Sequence, residues 1–359
     1  MKSLPRNQND KAVYRWLLCG VGMLIIQILL GGITRLSGSG LSITEWEVLT
    51  GTIPPLSESS WLLEFEKYKQ TPQFRLLNTD FTLSDFKFIY FWEWIHRLWA
   101  RLMGLVFAVG FVFFLLKKYF RKEMVRPLLI LFLLGGLQGA VGWIMVASGL
   151  TGDAVYVKPT RLALHFILAM GLIGYTFWFA LSLEIKKGAV LVNKKLHIIT
   201  LSIVFVLCLQ LLFGALMAGH KAAAAAATWP LIQERWIPVN FLQSSPAWIN
   251  FIENKLTVHF VHRNLAFLLV VFLFIWSRLA AAEKESKLLQ ATRFLPVWLI
   301  LLQAFLGILT VLSAVKIIPN HWGIFEWMAQ LHQLVGLCLF LCMVFMLYLI
   351  RARKSFLTS

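Results

Sequence analysis

Charge is the scarce ingredient of this chain. Of its 359 residues only 14% are Asp, Glu, Lys or Arg, while 59% are hydrophobic. A soluble domain of that size could not keep so much apolar surface out of water, so a water-soluble enzyme or binding module is excluded. Cysteine is scarce as well: Cys19, Cys208, Cys338 and Cys342 all fall inside apolar stretches. No loop carries a pair, which excludes a disulfide framework and a CxxC metal site and leaves apolar helix filling as their reading. Nor is a cleavable signal peptide expected. Residues 1–15 are polar and basic, and the first apolar stretch runs on to full spanning length.

What is present is a series of spanning segments. A bilayer-crossing helix needs roughly 20 mostly apolar residues. Eight stretches qualify, near 14–34, 92–116, 127–147, 162–183, 196–218, 257–277, 294–315 and 327–350. The expected fold is an all-α polytopic membrane protein with eight transmembrane helices, for which the lipid bilayer is the solvent.

The net charge of +17 reflects topology. Basic residues collect in alternate connections: Lys2, Arg6, Lys11 and Arg15, then Lys117, Lys118, Arg121, Lys122 and Arg126. Lys186, Lys187, Lys194 and Lys195 follow, then Arg278, Lys284, Lys287 and Arg293, and finally Arg351, Arg353 and Lys354. The long first outer loop, residues 35–91, holds five basic residues against seven acidic ones. By the positive-inside rule both termini and the basic loops face the cytoplasm or an organelle's matrix, and no nucleic-acid partner is implied.

An internal repeat divides the chain into an N-terminal half, 1–190, and a C-terminal half, 191–359. Gln27 and Gly31 in the first span are echoed by Gln210 and Gly214 in the fifth. Gln138 and Gly142 in the third are echoed by Gln303 and Gly307 in the seventh. His96-Arg97 and His262-Arg263 open the second and sixth spans; His165 follows His96 by 69 residues and His332 follows His262 by 70. Each half contains an even number of spans, so both enter the membrane in the same sense. Two pseudo-symmetric four-helix bundles are expected, with Gly31, Gly32, Gly135, Gly136, Gly139 and Gly142 allowing close helix approach. Residues 35–91, with Pro54-Pro55 and many aromatics, form an outer loop suited to covering a site, mirrored by 219–256.

Imidazoles inside a membrane are costly and mark function. His96, His165, His262 and His332 all occupy even-numbered spans near the outward end. Two per bundle is the number that holds a haem iron from both faces. The plainer reading is a hydrogen bond to a neighbouring helix, which the matched spacing disfavours. Zinc lacks repeating acidic or thiol partners. His197, His220 and His321 are expected to be solvated, while His259, one turn before His262, is ambiguous. Arg97, Arg101 and Arg263 suit carboxylates such as haem propionates, the alternative being interfacial snorkelling. Glu93 breaks the symmetry: it stands one turn before His96, and the matching position of the second half is His259. Chemistry is therefore expected in the first half and a bound electron-transfer cofactor in the second. The plainer role for Glu93 is an ion pair with Arg97.

The runs GGITRLSGSGLSITEW (31–46), TGTIPPL (50–56), EFEKYKQTPQF (64–74) and DFKFIYFWEWIHRLWARLMG (85–104) resemble the haem A synthase family. So do TWPLI (228–232), RWIP (235–238), HFVHRNLAF (259–267) and LHQLVG (331–336). The likeness is to the mitochondrial and proteobacterial branch and covers nearly the whole chain. It implies oxidation of the methyl group of haem O to the formyl group of haem A, for terminal oxidases. It also implies haem b on His262 and His332, substrate haem on His96 and His165, and Glu93 as the essential catalytic glutamate. Implied partners are haem O, the protohaem farnesyltransferase, an electron-transfer partner and a second copy of the chain. The outer-loop cysteine pair of another branch is missing. Residues 222–227 are six alanines where similar proteins carry a glycine, aromatics and an asparagine. With no evident transit peptide, the bacterial inner membrane is expected ahead of the mitochondrial one.

Two rival readings fit parts of the pattern. A diheme b-type cytochrome explains the histidines but leaves Glu93 and the first loop without a purpose. A parallel-repeat transporter would place its site near the midplane on broken helices. The charge pattern makes a direct prediction: a reporter near Lys118 or after residue 359 reads cytoplasmic, and one near residue 60 reads external. A cytoplasmic signal at residue 60 would place the histidines on the opposite face.

Overall fold

The computed structural model describes residues 8–45, 50–185, 189–319 and 321–352. Lys2, Arg6, Trp46, Glu47, Lys186, Lys187, Arg353, Lys354 and both chain ends, invoked above, lie outside the described residues. The described helices are α1 (Gln8–Leu36), α2 (Glu58–Lys69), α3 (Pro72–Leu77), α4 (Leu83–Leu116), α5 (Lys122–Ala147) and α6 (Pro159–Glu184). They continue with α7 (Lys194–His220), α8 (Asn250–Glu253), α9 (Lys255–Ala281), α10 (Lys287–Thr292), α11 (Leu295–Ser313) and α12 (Ile324–Leu349). Eight segments are long and apolar enough to cross a membrane: α1, α4, α5, α6, α7, α9, the stretch Lys287–Lys316 containing α11, and α12. The protein is an eight-span, all-α membrane protein. Among the described residues the departures are a two-residue parallel pairing of Leu191–Val192 with Ile350–Arg351, which ties the start of the second half to the end of α12, and an isolated bridge between Ile232 and Arg235.

Helix α4 begins at Leu83, well before the apolar stretch at 92, and the local sequence explains why. Thr82 accepts from the Asp85 backbone N–H while the Asp85 carboxylate accepts from the Thr82 backbone, a reciprocal cap. The added turns carry Phe86, Ile89 and Tyr90, which bury themselves against Phe65 and Tyr68 of α2. Ser57 caps α2, and Thr71 with Pro72 starts α3. The segment between α1 and α4 thus has an aromatic core of its own, built on the extension of α4 beyond its apolar stretch. At its centre the Tyr68 hydroxyl donates to Gln73 Oε1 at 3.1 Å and accepts from Asn78 Nδ2 at 2.7 Å. Burial pushes the Tyr68 phenol up to about 12, with the Asn78 hydrogen bond opposing, so it remains a donor at any physiological pH.

Helix packing follows the repeat. In the first half α1 packs on α4 and α6, and α5 on α6; in the second α7 packs on α9 and α12, and α11 on α12. These are the same pairs under the repeat, a pattern compatible with two bundles. Between the halves α6 packs on α7 and α12, and α1 on α12. Ile28, Ile173, Leu207, Trp276 and Phe340 belong to one continuous core across that seam. Polar bonds reinforce it: Gln330 donates to the Leu29 carbonyl at 3.1 Å and Gln333 to the Ile28 carbonyl at 2.8 Å. Gly32, lacking a side chain, leaves room for both amides.

The halves differ on one flank. Helices α9 and α11 pack together, whereas α4 and α5 make little contact. A Cβ added at Gly104, Gly135, Gly136 or Gly139 would meet nothing within 4 Å. The expectation that Gly135, Gly136 and Gly139 permit close helix approach is therefore wrong: the neighbouring helix stands away from them. Gly31, Gly32 and Gly142 do face close neighbours.

Candidate functional site

Each predicted histidine lies on an even-numbered span and presses against the span before it. His96 on α4 meets α1, His165 on α6 meets α5, His262 on α9 meets α7, and His332 on α12 meets α11. In a helix, residues four apart share a face, so the side chain at position i+4 ordinarily covers the carbonyl of residue i. Glycine at i+4 uncovers it. A Cβ built on Gly31 would lie 3.1 Å from His96 Cε1, and on Gly142 it would lie 2.8 Å from His165 Cε1. The corresponding distances are 3.2 Å from Gly214 to His262 and 2.9 Å from Gly307 to His332. No larger residue fits at these four positions without displacing the ring.

The residue four positions earlier is glutamine in every case, and it reaches the same imidazole. The Gln27 amide nitrogen is 3.4 Å from His96 Nδ1 and 3.2 Å from its Nε2. For Gln138 and His165 the two distances are 3.3 and 3.2 Å. Gln210 and Gln303 stand 3.3 Å from Nε2 of His262 and His332. Gln27 and Gln138 also donate to the backbone carbonyls of their histidines at 3.2 Å. His332 Nδ1 faces the Gln303 carbonyl at 3.0 Å, the kind of contact that fixes a ring tautomer and leaves Nε2 for a ligand. The Gln-x3-Gly pattern, read from sequence only as a marker of the repeat, is thus a socket for histidine. Its recurrence four times, once opposite each histidine, was the available signal.

The His262 and His332 rings have centroids 6.3 Å apart and planes at 73°. Imidazoles bound at roughly 2.0–2.1 Å on opposite sides of one metal place their ring centres between about 6 and 6.5 Å apart. The pair therefore fits a metal held from two faces, as in a bis-histidine haem. Among the described residues no three His, Cys, Asp or Glu side chains converge, so the donors of a tetrahedral zinc site are missing.

Beside the histidines, two arginines clip outer segments to the helices. Glu93, 2% exposed, accepts from Ser42 Oγ at 2.8 Å, the Ile43 backbone N–H at 2.9 Å and Arg97 Nη2 at 2.5 Å. Arg97 also donates to the carbonyls of Ile43 and Glu45, at 3.0 and 3.1 Å. The Glu93–Arg97 ion pair named as the plainer alternative is present. Arg97 and Arg101 line a cavity of about 430 Å³ under the outer loop, with Ile43, Ile53, Pro54 and Tyr90.

In the second half Arg263 donates to His259 Nε2 at 3.0 Å and to the carbonyls of Ala226, Thr228 and Leu231. His259 is fully buried and orients this arginine, which settles its sequence ambiguity. The alanine run contributes a backbone acceptor, and Ala222–Ala225 form a 3-10 turn. Two solvated histidines were expected where the structure bonds them: His197 Nδ1 contacts the Ile350 carbonyl at 2.8 Å and His220 Nε2 the Ile252 carbonyl at 2.6 Å. His321 is exposed, as expected.

Fold and site together define a polytopic helical membrane protein with paired imidazoles between its spans. The chain belongs to the COX15-CtaA family, the cytochrome oxidase assembly proteins, whose match covers residues 14–344. It is 45% identical over 266 residues to the haem A synthase of Paracoccus denitrificans, covering 73% of this chain and 70% of that one. It is 39% identical over 341 residues to the haem A synthase of Flavobacterium psychrophilum, covering 92% and 96%. The haem A synthase of Parvibaculum lavamentivorans is 40% identical over 330 residues, with 88% and 92% covered.

The sockets generate a contrast within one helix. Gly142→Ala places a methyl 2.8 Å from His165 Cε1 and should cost about 1–3 kcal/mol by overpacking. Gly139→Ala, on the same helix but facing open space, should be neutral or gain up to about 1 kcal/mol from helix propensity. Thermal unfolding of the detergent-solubilised protein measures both, and equal losses of Tm would contradict the socket.

Proposed function

We propose that this protein is a haem A synthase, oxidising the methyl group of haem O to the formyl group of haem A. The observation that carries the reading is the His262–His332 pair, whose 6.3 Å ring separation suits a single iron between them. Family membership and the haem A synthase relatives supply the reaction. In this reading the half 191–359 carries haem b on His262 and His332, and the half 1–190 carries substrate haem on His96 and His165. Bound haem b supplies one-electron redox chemistry. The chain's own residues do the rest. The sockets orient the imidazoles, and the outer loop over α4 keeps water from the first site. Glu93, one turn from His96, stabilises positive charge developing at the substrate's edge or accepts a proton released there. Arg97 and Arg263 pair with propionates at the rim while holding the loops. The setting is a bacterial inner membrane with both termini cytoplasmic. The protohaem farnesyltransferase, an electron-transfer partner and a second copy of the chain are the proposed partners. The diheme cytochrome without haem modification is the second reading, and in it Glu93 is a loop anchor alone.

Histidine variants separate the two sites. His262→Ala or His332→Ala should remove most low-spin haem b absorbance, while His96→Ala or His165→Ala should spare it and abolish haem A. Equal loss from all four would contradict separate sites. Glu93→Gln should retain haem b and accumulate haem O or a partly oxidised intermediate, measured by pigment extraction and chromatography, and Glu93→Asp should keep partial activity. Ser42→Ala removes one hydrogen bond from the same carboxylate without touching its charge and should still make haem A. If Ser42→Ala abolished the product as completely as Glu93→Gln, the carboxylate would be a loop anchor alone.

A further inference from the structure

The four glutamines have a geometry that ordinary helix-to-helix bonding does not require. A nitrogen 3.4 and 3.2 Å from the two ring nitrogens of His96 cannot lie in the ring plane without overlapping a ring carbon. It stands over the face of the imidazole, and so does the Gln138 amide over His165, at 3.3 and 3.2 Å. Exchanging the amide nitrogen and oxygen would set Oε1 against the histidine's own carbonyl oxygen, so the donated bonds at 3.2 Å fix the orientation of both amides. In all four glutamines Oε1 is buried without a hydrogen-bond partner. Among the described residues the histidine is the only polar group to which each amide is bonded.

We propose that Gln27, Gln138, Gln210 and Gln303 are positioning residues that fix the rotation of the four imidazoles, and that Gln210 and Gln303 thereby hold the His262 and His332 planes near perpendicular. The inference rests on the reading of that pair as ligands to one haem iron. His96 and His165 each have one edge in a glycine notch and one face against an amide; His262 and His332 have the same notch and a glutamine amide nitrogen 3.3 Å from Nε2, so in every case rotation about the Cβ–Cγ bond is opposed from two directions. At His332 the Nδ1 contact to the Gln303 carbonyl at 3.0 Å leaves Nε2 as the ligating nitrogen, with the amide beside it at 3.3 Å. Ring rotation matters because each imidazole donates into the iron d orbital that its plane selects. Planes at 73° spread donation over two orbitals and keep them close in energy, whereas parallel planes split them. Ligand orientation is thus a lever on the spectrum and potential of the iron, alongside ligand identity.

The test uses the full-length protein purified in detergent with its native haem, compared with Gln303→Met, which keeps the bulk of the side chain and removes the amide. Wild type should show a highly anisotropic low-spin ferric EPR signal with one very large g value. Gln303→Met should keep its haem but lose that signal to a rhombic one with a smaller largest g, and its reduction potential should shift. An unchanged EPR signal in a haem-replete Gln303→Met would overturn the proposal. Should Gln303→Met purify without haem, Gln330→Met decides, since it removes an amide from α12, the helix of His332, that bonds the Leu29 carbonyl and no histidine. Haem retained in Gln330→Met then supports positioning, and haem lost there as well shows general packing damage and overturns it. A wild type with no low-spin haem would sink the ligand reading itself, a failure distinguishable from the others.

Discussion

An imidazole inside a bilayer bundle must have its polar edge satisfied and its bulk accommodated, and the neighbouring helix is the only structure near enough to do both. That requirement organises this protein. Glycine at one position bares a turn of helix, and glutamine one turn earlier supplies an amide. The histidine then docks between them, close enough that Gly142 and Gly307 admit no Cβ. The unit recurs on α1–α4, α5–α6, α7–α9 and α11–α12, while α1–α6, α6–α7 and α6–α12 pack without it. The close approach of each histidine to the span before it follows from this unit. The same device joins the halves, where Gly32 makes way for the glutamines of α12 that bond to carbonyls of α1.

On this repeated frame the halves diverge at a few positions, and the differences are chemical. Arg97 and Arg263 occupy matching places and grip backbone carbonyls of the segments above them. Their helical neighbours differ: Glu93 brings a negative charge into a nearly dry setting, while His259 brings only a neutral acceptor. A carboxylate that accepts three hydrogen bonds is held to one geometry, the condition under which a charged group stabilises a developing charge without reorganising. Loop anchoring and electrostatic action are compatible uses of Glu93.

The eight spans were legible in the sequence because a bilayer enforces long apolar runs, and the histidines because ionisable groups are conspicuous within them. Helix ends were less so. The outward turns of α4 have their Phe86 and Tyr90 covered by the folded loop, which local hydropathy does not anticipate. Glycine was the hardest residue to read. Gly139 and Gly142 are alike in sequence, yet one faces open space and the other an imidazole, a distinction that exists only once the partner helix is placed. The arginines show the same limit. Their position beside histidines was clear, but the carbonyls they bind come from residues 43–45 and 226–231, distant in sequence. Nothing in the structure explains why 222–227 are alanines, since the Ala226 carbonyl that Arg263 binds is one any residue would supply.

The poor contact between α4 and α5 makes the surrounding lipid a structural component of the first half. Apolar side chains such as Leu105 and Val109 on α4, and Phe132 and Leu133 on α5, are exposed. In a membrane, exposed apolar groups of this kind meet acyl chains, which are fluid where a protein core is crystal-like. The opposite flank, closed by α9 on α11, carries its own packing wherever it goes. One flank is closed by contacts within the chain, and the other depends for its packing on whatever lies beside it.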